Sequence, residues 1–256
     1  MIVLNRITKP MRGMLLAGVA ALAISACASN RGSMPSPDYT GMTAGQSQQT
    51  LGELTARYKS NPKDKVTAIH YAAALRAVGQ SQQAVSVLEI SMGYYPKDVD
   101  IAVAFAKALT ADGRLEQSLQ VLDNVIRPEA PDWNALLVKG ATLDQLGRNA
   151  EARGLYAQAQ VYAPGEASIE ANLGLSYAMT NELPAAEQHL RRAVQMQGAT
   201  SQIRQNLALV VGLQGRFDES RSLYAAELPP EQVESNMAYV RALLTQQNRW
   251  DMIKNS

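Results

Sequence analysis

The chain has 256 residues, of which 24 are basic, 23 acidic, two histidine and one cysteine. A lone cysteine excludes a disulfide scaffold, and charges this nearly balanced leave no basic field of the kind that gathers nucleic acid. The first 26 residues are organised for export rather than folding. Arg6, Lys9 and Arg12 make a positive flank without an acidic residue, and an apolar run of 14 residues follows from Gly13 to Ala26. That run falls short of the roughly 20 residues that cross a bilayer, so the layout is that of a secretory signal peptide over 1–26.

The leader ends Ile24-Ser25-Ala26-Cys27, with small residues before the single cysteine. This resembles a bacterial lipobox, which implies cleavage before Cys27, a diacylglycerol on its thiol and an acyl chain such as palmitate on the freed amine. Several acyl chains on one residue hold a protein on its membrane. The alternative is ordinary cleavage at Ala26-Cys27-Ala28, leaving no anchor. Ala28 stands where inner-membrane retention usually shows Asp, so likeness to sorted lipoproteins implies the periplasmic face of the outer membrane. Residues 27–49 are rich in Ser, Gly, Pro, Gln and Thr and read as a flexible tether, with a reach of roughly 25 Å for about 22 residues. Loss of the leader leaves 21 basic against 23 acidic residues.

Residues 50–256 carry an internal repeat of 34 residues. Small residues recur at that step at Ala72, Ala106, Gly140, Gly174 and Ala208, and again at Ala84, Ser118, Ala152, Ala186 and Ser220. Two crossing helices approach closely only where neither carries a large side chain. Bulk follows one turn after the first ladder, at Leu75, Leu109, Leu143, Tyr177 and Val211, and in the second helix at Leu88, Leu122, Tyr156, Leu190 and Tyr224. Between them Gly79, Gly113, Gly147, Asn181 and Gly215 supply the left-handed residue that ends a helix. Pro96 and Pro164 close second helices.

This grammar resembles that of the tetratricopeptide repeat. The expected fold is therefore all-α, a right-handed superhelical solenoid of about five repeats plus flanking helices. The repeats fall at Lys65–Asp98, Val99–Asp132, Trp133–Glu166, Ala167–Thr200 and Ser201–Glu234. LGELTARYKSNPKD reads as an unpaired second helix over the N-terminal edge. Ser235–Asn255 reads as a capping helix, a break near Asn248 and a short helical tail. In repeats two and five Ala130 and Gln232 replace the closing proline, with Pro128, Pro131, Pro229 and Pro230 nearby.

No catalytic constellation, metal-ligand spacing, phosphate loop or nucleophile elbow is present, so neither enzyme chemistry nor a cofactor or small-molecule substrate is expected. His70 and His189 read as solvated or half-buried helix residues, and Asp144 and Glu151 as surface charges. A solenoid offers its concave face to protein ligands. On the usual superhelix the inward residues at its N-terminal end are His70, Ala73, Arg76, Val103 and Lys107, followed by Leu137, Ala141 and Asp144 and then by Ala171. The candidate protein-binding residues are Asn172, Leu175, Met179, Gln205, Asn206, Leu209 and Leu213, with Cys27 as the lipidation site. Asn172 and Asn206 either hold the backbone of a bound segment or merely solvate the groove.

The whole chain resembles the TadD-type tetratricopeptide lipoproteins of the tight-adherence (Tad/Flp) pilus assembly system. The likeness is carried by the leader, by LGELTARYKSNPKDKVTAIHYAAALRAVGQ at 51–80, by APDWNALLVKGATLDQLGRNAEARGLYAQA at 130–159 and most specifically by SQIRQNLALVVGLQGRFDES at 201–220. It implies an outer-membrane assembly factor, pilotin-like, whose partners are the pilus secretin or other proteins of that apparatus. The other expectation is a scaffold for outer-membrane protein assembly or cell-wall maintenance.

Overall fold

In a computed structural model of the chain, Tyr39 and residues 42–254 are described, with side chains as far as Thr245. The signal peptide, Cys27 and most of the tether lie outside the described residues. Those described form helices α1 (Ala44–Ser60), α2 (Lys65–Ala77), α3 (Ser81–Tyr94), α4 (Val99–Ala111), α5 (Leu115–Asp123), α6 (Trp133–Gln145) and α7 (Asn149–Tyr162). They continue as α8 (Ala167–Met179), α9 (Leu183–Gln195), α10 (Ser201–Leu213), α11 (Phe217–Ala225) and α12 (Pro230–Lys254).

The first helix of every repeat begins on the residue expected and runs for 13 residues. Four of the five starts share a side-chain N-cap on the residue just before the helix, while Glu166 ahead of α8 makes no such cap bond. Carboxylates of Asp64, Asp98 and Asp132 accept from the backbone N–H three residues on, at 2.9 to 3.1 Å. The Thr200 hydroxyl does the same for Ile203 at 3.3 Å. Such caps satisfy a donor left open by the helix start and stabilise it by about 1 kcal/mol.

Each first helix ends alike. Gly79, Gly113, Gly147 and Gly215 have φ of 76° to 82°, and Asn181 has φ 64° in the fourth repeat. The reversal lets the next residue donate back to the carbonyl of the bulky ladder residue, as Arg114 does to Leu109 at 2.8 Å and Glu182 to Tyr177 at 2.9 Å. The ladder carbonyl is thereby capped while its side chain fills the space between helices.

Second helices are 13 or 14 residues long in repeats one, three and four, but only nine in α5 and α11. In these two repeats the prolines arrive early, at Pro128 and Pro229, and a residue before proline is driven out of helical conformation.

Both small-residue ladders are buried along the stack, and the apolar clusters bridge neighbours: Leu75 and Leu88 of repeat one pack with Ile101 and Leu109 of repeat two, and Tyr156 of repeat three with Ile169 of repeat four. The core is one continuous strip, with each repeat stabilised by the next.

Two ends depart from expectation. Helix α1 starts at Ala44, inside the stretch read as tether, because Thr43 and Gln46 form a reciprocal capping box. At the other end α12 is unbroken from Pro230 to Lys254, so there is no break at Asn248. No Gly or Pro interrupts residues 231–254, so no helix-breaking residue stops the run there. Among the described residues no helix is long and apolar enough to cross a membrane.

Candidate functional site

A 13-residue helix turning every 3.6 residues aligns its second, sixth, ninth and thirteenth positions on one stripe. In the first helices that stripe lies opposite the bulky ladder, on the inner side of the solenoid. From repeat three onward it reads Asn134, Val138, Ala141 and Gln145, then Ser168, Asn172, Leu175 and Met179, then Gln202, Asn206, Leu209 and Leu213. No charged residue stands on it.

Asn172 and Asn206 occupy the same position of α8 and α10 and are 2% and 1% exposed. The Asn172 side chain donates to the Ser168 carbonyl at 2.8 Å, and the Asn206 carbonyl oxygen accepts from Gln202 at 3.1 Å. The Asn206 amide nitrogen, the Ser168 hydroxyl and the Gln145 amide nitrogen are buried without a hydrogen-bond partner among the described residues. Each such group costs about 1–3 kcal/mol relative to a satisfied one. Ser168 and Gln145 were not singled out from the sequence, although Ser168 stands one repeat before Gln202 and Gln145 one repeat before Met179.

The other candidates divide. Leu175 is buried and Met179 half-buried on the stripe. Gln205 lies beside it and donates to Ser201 at 3.1 Å. Leu209 packs in the terminal cluster with Tyr224, Met237 and Val240, and Leu213 lies against the same cluster. These two leucines thus also hold the capping helix.

Toward the N-terminus the inner surface changes character. Lys65 bridges Asp98 and Asp100 at 2.8 Å each. Burial pushes the Asp132 carboxyl up, bonds from the Ala135 and Asn134 N–H groups draw it down, nearby Asp100 adds to the rise and Lys107 opposes it.

Asp144 is a correction to the sequence reading: it is 2% exposed and joins repeats three and four. Its carboxylate accepts from Tyr156 at 2.8 Å, Ser176 at 2.8 Å and Asn149 at 2.7 Å. Burial raises its pKa, and those three hydrogen bonds oppose the rise. Glu170, 6% exposed, is held by Gln160 at 2.7 Å, His189 at 2.7 Å and Arg192 at 3.2 Å. Among the described residues no three His, Cys, Asp or Glu side chains gather as a metal site.

Helix pairs at a 34-residue step, with left-handed turns and a continuous core, define a tetratricopeptide-repeat solenoid. Residues 137–202, most of repeats three and four, match the family described as tetratricopeptide repeat. The fold is similar to that of a thermophilic tetratricopeptide repeat protein of Thermus thermophilus, at 21% identity and TM-score 0.61, over 72% of this chain and 99% of that one. It is also similar to a tetratricopeptide repeat protein from Parabacteroides merdae, at 10% identity and TM-score 0.65, over 91% of this chain and 86% of that one. A third likeness, to a chain of the APC/C hetero-tetramer Cut9-Hcn1, has 15% identity and TM-score 0.60, over 82% of this chain and 41% of that one. Identities this low speak for the fold alone. No curated protein matches the chain in sequence.

Proposed function

We propose that the chain is an outer-membrane lipoprotein that acts as a non-enzymatic assembly factor for the Tad/Flp pilus apparatus, holding a segment of the pilus secretin in its concave groove. The observation that carries the binding half of this reading is the set of buried, unpartnered polar groups on the inner stripe: Gln145, Ser168 and Asn206. Two are amide donors and the third is a hydroxyl that can donate, so the complementary ligand presents acceptors, and main-chain carbonyls of a peptide segment do so at regular spacing. Leu175 and Met179 between them suit apolar side chains. A stripe without Lys or Arg from Asn134 to Leu213 is unsuited to gripping a free C-terminal carboxylate, which favours an internal or partly apolar segment.

The pilus assignment rests on the sequence resemblance and the leader. In this reading acyl chains on Cys27 take the protein along the outer-membrane sorting route while the groove retains the secretin segment, so both reach the membrane together. Deleting the protein is expected to lower the amount of secretin multimer in the outer membrane. Unchanged amount and location of the multimers would sink the pilotin role.

A further inference from the structure

His70 is the sixth residue of α2, the position that Asn172 and Asn206 hold on their helices, and the tether reaches it. The Tyr39 hydroxyl lies 3.0 Å from His70 Nδ1. The two rings meet edge to face with centroids 6.4 Å apart. Burial pushes the His70 imidazole down, with Asp64 opposing and Arg57 adding to the fall. At neutral pH the ring is therefore uncharged and its Nδ1 can accept from the phenol.

The corresponding place is filled differently in repeats three and four. Thr142, tenth in α6, bonds to Thr110 of the preceding first helix at 2.9 Å, and Ser176, tenth in α8, bonds to Asp144 of its predecessor at 2.8 Å. In these two repeats the tenth-residue side of the first helix thus meets the first helix before it. In repeat one the tenth residue is Ala74, and no first helix precedes α2 among the described residues. Tyr39 and Met42 instead enclose a small pocket with Ala74, Ala77 and Val78, joined by Ser47 and Thr50 of α1. The Thr43–Gln46 capping box fixes where α1 begins and hence where this segment leaves it.

We propose that Tyr39 and Met42 are a built-in occupant of the first repeat: a latch that takes the place a preceding first helix would hold and closes the N-terminal end of the concave face. A ligand that runs along the inner stripe as far as His70 has to displace Tyr39. None of this depends on which protein fills the groove.

The sequence holds only two histidines, so imidazole NMR of the full chain reads His70 with His189 as an internal control. Tyr39→Ala is expected to move the His70 ring signals and to raise its titration midpoint toward the ordinary imidazole value, while His189 stays in place. Tyr39→Phe, which keeps the ring and removes the hydroxyl, is expected to give a smaller change of the same sign. A synthetic peptide of residues 36–46 added to the Tyr39→Ala chain is expected to restore the His70 signals and to leave the wild type unchanged. If Tyr39→Ala leaves His70 unmoved, or if the peptide perturbs wild type and variant equally, the latch is overturned. Unchanged His189 signals show that the variant has kept its fold.

Discussion

The ring of Tyr156 occupies the space that a Cβ on Gly140 would need. The two residues face each other across the helix pair of repeat three, and the pairing is specific to that repeat. Repeats one and two place Leu88 and Leu122 with Ala72 and Ala106, repeat four sets Leu190 against Gly174, and repeat five places Tyr224 with Ala208, so glycine and tyrosine meet at this crossing in repeat three alone among the five. Gly140→Ala is expected to destabilise the protein by about 1–3 kcal/mol, since an interior at crystal-like density absorbs an added methyl only by strain. In thermal denaturation Tyr156→Leu should relieve part of this, so that the double variant costs less than the sum of the singles.

Asp144 anchors three hydrogen bonds at the junction of repeats three and four, and its two replacements should separate. Asp144→Ala leaves Tyr156 and Ser176 without their acceptor and is expected to cost about 2–4 kcal/mol. Asp144→Asn keeps one acceptor oxygen and should cost less. The pH dependence has a definite sign. The folded-state pKa lies above the ordinary 3.8, so the folded protein binds this proton more tightly than the unfolded chain. Its contribution is full below about pH 3.8 and is lost as pH rises through the folded value. Denaturant titrations should therefore show the wild type's margin over Asp144→Asn shrinking as pH rises from acid toward neutral.

Glu187 behaves in the opposite way. Arg216 is its closest partner, with Gln214 at 2.8 Å and Arg191 at 2.7 Å. Led by the Arg216 hydrogen bond, and against the effect of burial, its carboxyl is drawn down from 4.5 to about 2. Stability from this junction of repeats four and five is present above about pH 4.5 and is lost as pH falls toward 2. Glu187→Gln is expected to cost about 1–2 kcal/mol at neutral pH, because a partly exposed network is screened by solvent. The gap between wild type and variant should close on acidification, and a gap independent of pH would contradict the assignment.

Asn181 is a test of the turn grammar. It holds φ 64° where the other four repeats carry glycine. Asn181→Gly is expected to change stability by no more than a few tenths of a kcal/mol, whereas Asn181→Val should cost about 1–2 kcal/mol, since a β-branched residue is strained in this region. Melting curves of the two variants compare them directly.

The parts of the fold that were legible in the sequence are those fixed by sterics that every repeat must satisfy. A close helix crossing permits only a small residue, and a tight reversal favours Gly or Asn, so Gly140, Ser118 and Asn181 announce themselves by recurrence. Asp144 does not, because its position in the repeat is otherwise held by Arg76, Thr110, Ala178 and Gly212 and carries no common demand. Its burial depends on Ser176, a residue of the next repeat, which a surface-charge reading of Asp144 leaves out. The start of α1 is different again: Thr43 and Gln46 have the spacing of a capping box, but the Ser, Gly and Gln composition around them suggested tether. Among the groove residues, Asn172 and Asn206 follow from register alone. That Ser168 and Gln145 are buried without partners depends on depth in the structure, which composition does not encode.

The most direct test of the account is to place a photoreactive residue at Met179, half-buried on the inner stripe, and to cross-link in intact cells. The account predicts a covalent adduct with the pilus secretin, mapped by mass spectrometry to an internal peptide segment. It also predicts that the adduct weakens when Gln145 and Asn206 are both replaced by Ala. An adduct with barrel-assembly subunits, or none with any protein of the pilus apparatus, would contradict it.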